Sequence, residues 1–91
     1  MSSTFGSITV TTAATAIIAG NCARRNLTIV NTSEGVPVYI GPDNTVTTSN
    51  GIPLYETQTT HKDNFSESYK GDVYGIVSSG TADVRYWESL Q

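Results

Sequence analysis

Between Arg24 and Gly41 the chain reads RRNLTIVNTSEGVPVYIG: two runs of alternating apolar and polar residues flank a turn-rich cluster. A period of two sends successive side chains to opposite faces of an extended strand, which is incompatible with the 3.6-residue period of a helix. In the first run Leu27 and Ile29 share one face while Thr28 and Val30 share the other; apolar residues on both faces predict a central strand. In the second run Val38 and Ile40 point inward and Tyr39 outward, with Pro37, which has no N–H to donate, at the strand start or on an edge. The intervening Asn31-Thr32-Ser33-Glu34-Gly35 concentrates residues that favour turns. The stretch is therefore predicted to be a β-hairpin at the middle of an all-β domain.

The same periodicity extends along the chain. Residues 1–6 are small and polar apart from Phe5 and are expected to form a flexible N-terminal arm, with residues 7–91 a single β-sandwich domain. Ser7 to Thr12 places Ile8 and Val10 on one face, and Ala13 to Gly20 is assigned a short strand. Gly41 to Pro53 is expected to be mostly loop, with an edge contact at Val46. Strands are expected near Leu54-Tyr55 and from Thr57 to Phe65. A second hairpin is predicted from Asp72 to Ser78 and Thr81 to Glu88 around Ser79-Gly80, with Val73, Gly75 and Val77 on one face. The count of seven or eight short antiparallel strands, with no helix of ten residues, matches a β-sandwich or small barrel. Composition agrees: charged residues are 14 % against about 25 % in average domains, and β-branched Thr suits a half-exposed sheet.

Charge and cysteine content exclude several functions. A net charge of -3 with five Lys and Arg in all is the wrong balance for neutralising phosphates, so no nucleic-acid partner is expected. The single Cys22 forms no internal disulfide and is expected to pack as a buried or half-buried apolar residue. No run approaches the ~20 apolar residues of a membrane span, and MSSTFGS has neither a basic nor an apolar leader region. No membrane partner is expected, and synthesis is placed in the cytoplasm. His61 is the only histidine, in a polar setting, and one His with one Cys cannot supply a structural zinc. Asp43-Asn44 lacks calcium-loop spacing and reads as turn chemistry. The expectation is a protein that is not an enzyme and has no metal or cofactor.

What remains is contact chemistry. Tyr39, Tyr55, Tyr69, Tyr74, Tyr86 and Trp87 are many aromatics for this length, suited to the core, to protein interfaces or to stacking on sugar rings. Arg24, Arg25 and Arg85 are candidates for intersubunit ion pairs with Glu34, Asp83 or Glu88. Asn-X-Ser/Thr triplets at Asn26, Asn31 and Asn64 are short enough to arise by composition.

Arg24-Arg25-Asn26-Leu27-Thr28-Ile29-Val30-Asn31-Thr32, Val38-Tyr39-Ile40-Gly41, Thr47-Thr48-Ser49-Asn50-Gly51-Ile52-Pro53-Leu54, Val73-Tyr74-Gly75-Ile76 and Ser79-Gly80-Thr81-Ala82-Asp83-Val84-Arg85 together resemble a group of small tailed-phage virion proteins. These are the capsid decoration, or cement, proteins with compact jelly-roll-like β-sandwiches. The similarity spans about residues 8 to 88, rests on strands and turns, and does not extend to Glu56–Lys70. The resemblance implies a virion structural protein on the outer head surface, in many copies, that bridges major capsid protein subunits and stabilises the capsid. A homo-oligomer, dimer or trimer, is expected, with Phe5, Arg24, Arg25, Tyr39, Tyr55 and Trp87 as protein-contact residues. The alternatives are a tail or head-fibre component that binds glycans and a head-to-tail connector piece.

Overall fold

Alternation and β-branched content become eight strands in the computed structural model, which describes residues 2–55, 64–67 and 70–90. These are β1 (Ser2–Val10), β2 (Thr15–Ile18), β3 (Arg24–Asn31), β4 (Val38–Gly41), β5 (Ile52–Leu54), β6 (Asn64–Glu67), β7 (Val73–Ile76) and β8 (Ala82–Leu90). No helix occurs among the described residues. One four-stranded sheet has the order β1-β8-β3-β6 and the other β2-β7-β4-β5, and every neighbouring pair is antiparallel.

The pairings β1–β8, β2–β7, β3–β6 and β4–β5 describe one long hairpin that turns back on itself at the β4–β5 loop. Wound around a core, that double ribbon gives the jelly-roll arrangement of two facing sheets. The expected all-β, jelly-roll-like sandwich is thus the observed fold.

Inward-facing residues of both sheets meet in a single core of Val10, Ile17, Leu27, Ile29, Val38, Ile40, Leu54, Val73, Val77, Ala82 and Val84. β3 lies between β8 and β6, the central position expected from its two apolar faces. Gly75 leaves room for inward-facing side chains of the two flanking strands of its own sheet: a Cβ there would stand 2.8 Å from Ile17 Cδ1 on β2 and 3.1 Å from Val38 Cγ1 on β4.

Several expectations are corrected. The Arg24–Gly41 stretch is not a hairpin, because β3 and β4 belong to opposite sheets and the turn-rich segment between them arches over the end of the core. The same holds for β7 and β8, whose apolar faces look at each other across the interior rather than lying side by side. Most of the expected N-terminal arm is the first half of β1, paired residue for residue with β8 from Ser2↔Leu90 onward. Val46 makes no edge contact; it is buried at 5 % exposure, in van der Waals reach of both Gly41 and Gly51, so the β4–β5 loop folds down over its own strands. Cys22 is exposed rather than buried. Of the strand expected from Thr57 to Phe65, Asn64 and Phe65 belong to β6, while residues 57–63, His61 among them, and Tyr69 lie outside the described residues.

Candidate binding face

The outer face of the β1-β8-β3-β6 sheet carries the arrangement that most needs a functional account. Strand register places Phe5 directly opposite Trp87, and Trp87 opposite Thr28 on the next strand. One step along, Ser7, Arg85 and Val30 form a parallel row. Opposed Cβ atoms in antiparallel pairs lie about 4.5–5.5 Å apart, so each row is a contiguous strip of side chains. Phe5 is 81 % exposed and Trp87 61 %. With Gly6 and Tyr86 between the rows, these residues line an open, largely apolar concavity of about 610 Å³.

Exposed aromatic surface of this kind is costly in water, at about 25 cal/mol per Å² of apolar area. Contiguous patches of it mark interaction surfaces. The charged group at its margin is already engaged: Arg85 donates from Nε and Nη2 to Asp83 Oδ2 at 3.1 and 2.9 Å, and Asp83 also accepts from Thr32 Oγ1. The Arg85 hydrogen bonds hold the Asp83 carboxyl below its ordinary value.

Arg24 is corrected from contact residue to internal strut. The β3–β8 register slips between Arg24 and Asn26, and this bulge turns Arg24 and Leu27 to the same interior side although they are three residues apart. Fully buried, Arg24 donates from Nε to Glu88 Oε2 at 2.6 Å, from Nη1 to the Gly71 carbonyl at 2.9 Å and from Nη2 to the Ala19 carbonyl at 2.6 Å. Glu88 accepts a further hydrogen bond from Thr4 Oγ1. The ion pair expected between subunits is therefore made within the chain.

The other end of β3 is held by Asn31, also fully buried, whose Nδ2 donates to the Val36 and Leu54 carbonyls at 2.7 and 2.9 Å and whose Oδ1 accepts from Ser33 N–H. The central strand is thus pinned at both ends by buried polar side chains that reach toward the other sheet.

The remaining expected contact residues do not join Phe5 and Trp87. Tyr39, half-buried on β4, and Tyr55, 50 % exposed just beyond β5, belong to the opposite sheet, near Ile52 at 63 % exposure. Arg25 is exposed at the β3 bulge. Thr28, Val30 and Ser7 complete the aromatic face without having been singled out as contacts, and Arg85, a candidate for an intersubunit ion pair, joins them while pairing with Asp83 of its own chain. Val30 carried a legible signal, as an apolar residue facing away from Leu27 and Ile29. Among the described residues no cluster of His, Cys, Asp and Glu is placed to hold a metal ion. Compared with protein-family models, curated proteins and solved structures, the chain matches none.

Proposed function

We propose that this chain is a phage virion structural protein, a capsid decoration protein that binds the outer head surface through the aromatic face of the β1-β8-β3-β6 sheet and stabilises the capsid. The observation that carries the reading is the Phe5–Trp87 pair, held on two long paired strands with its aromatic surface in water. The strand-level resemblance to cement proteins, the jelly-roll topology and the acidic charge balance support it. The partner is the major capsid protein. A small patch suffices there, because contacts repeated by capsid symmetry gain from avidity.

Glycan binding in a tail or head fibre would use the same aromatics, but sugar recognition also needs free hydrogen-bonding groups beside the stacking ring. The concavity is mostly apolar and its Arg85 is engaged with Asp83, which favours a protein partner. The test is to replace Phe5 and Trp87 by Ala, singly and together, and measure occupancy on virions of the phage that encodes the chain. Circular dichroism verifies the fold. The proposal expects unchanged folding and at least about tenfold weaker binding for the double variant, the loss that about 1.4 kcal/mol produces. Unchanged occupancy overturns it.

A further inference from the structure

Edge strands in soluble proteins are normally short, bulged, charged or interrupted by proline, because an unpaired row of N–H and C=O groups invites another strand. Two edges of this sandwich follow the rule: β2 has four residues and a register shift, and β5 has three residues and contains Pro53. β1 does not. It runs nine residues, SSTFGSITV, with no charge, no proline and no bulge against β8. Among the described residues β8 is its only strand partner, and no described strand pairs with its other edge.

We infer that β1 is a self-pairing edge, on which a second copy of this chain adds its own β1, antiparallel and across a two-fold axis, to join two four-stranded sheets into one of eight strands. Identical antiparallel strands are self-complementary about such an axis. Self-complementarity argues for a second copy as the occupant, and charge permits it: two chains of net charge -3 repel wherever their charged side chains meet, and β1 contributes none. Full overlap centres the axis on Gly6, opposing Phe5 to Ser7 and Ser3 to Thr9 of the second copy, all outer-face positions by register parity. Phe5 of each copy then becomes a diagonal neighbour of the other, at about 7–8 Å, which aromatic rings span. The result is a continuous band running Trp87, Phe5, Phe5, Trp87 across the dimer. This inference is independent of the capsid reading and is tested on the free protein.

Sedimentation velocity of the purified chain over a dilution series is expected to show a dimer, and Ser3→Lys/Ser7→Lys is expected to halve the mass while leaving the circular dichroism spectrum unchanged. In a Cys22→Ser background, Ser3→Cys/Thr9→Cys is expected to give a disulfide-linked dimer on mild oxidation, because opposed Cβ atoms fall within bridging distance. Three results overturn the inference: a monomer at every concentration, a trimer, or a dimer that survives both lysines and fails to cross-link.

Discussion

Replacing Arg24 by Met removes the guanidinium while keeping much of the aliphatic volume, and the structure fixes what is left behind. Glu88, with its side chain 8 % exposed, loses its only described charged partner and keeps the hydrogen bond from Thr4. The Gly71 and Ala19 carbonyls lose donors at 2.9 and 2.6 Å. Breaking one side of a buried pair costs about 3–5 kcal/mol, because the surviving charge remains out of water. A domain of this length is worth about 5–14 kcal/mol in total, from ~0.05–0.15 kcal/mol per residue. The variant therefore sacrifices a large share of the stability, and at about 4–8 °C per kcal/mol its midpoint should fall by at least ~12 °C.

Urea unfolding followed by circular dichroism is the assay, since Trp87 is already exposed and its emission is a poor reporter. The double variant Arg24→Met/Glu88→Leu removes both charges and should recover most of the loss, as apolar replacements of buried pairs often do. A cost below about 1 kcal/mol for Arg24→Met, with no coupling to Glu88, is the behaviour of an exposed pair and would refute the strut.

Asn31→Leu should cost about 2 kcal/mol or more in the same assay, because it strips the donors from the Val36 and Leu54 carbonyls, each worth about 1–3 kcal/mol when left unsatisfied. Gly75→Ala should cost about 1–3 kcal/mol by overpacking against Ile17 and Val38, whereas Ser78→Ala on the exposed neighbouring turn should stay within about 0.5 kcal/mol. Arg85→Gln should raise the Asp83 carboxyl toward its ordinary 3.8, read by NMR titration. Because Asp83 is depressed in the folded chain, any stability it supplies is present above 3.8 and lost as the pH falls through its lower folded value, so Arg85→Gln should flatten that acid limb.

Strand identity and facing were legible in the sequence because alternation is a local property: Leu27 and Ile29, Val38 and Ile40, and Val73, Gly75 and Val77 all face inward as the pattern requires. Sheet membership was not legible. Two alternating runs joined by a turn-rich segment look the same whether they lie side by side or face each other across a core, so both apparent hairpins proved to be arches. Register with a distant partner also converts the polar N-terminus into β1, since backbone pairing with β8 requires no apolar side chains.

Arg24 was misassigned for a related reason. A one-residue bulge changes which residues point inward and leaves no trace in a local pattern. Of the candidate site, Phe5 and Trp87 were picked out separately as aromatics, but their opposition across β1 and β8, 82 residues apart in sequence, becomes visible only through the winding of the ribbon.

The central claim is that this domain acts by burying its aromatic face against a capsid, and copy number tests it most directly. On the proposed reading, the chain should be present in purified virions near one copy per major capsid subunit or per local symmetry axis, and stripping it should lower the temperature at which the heads rupture. A handful of copies per particle, or heads whose stability is indifferent to its removal, would contradict the account.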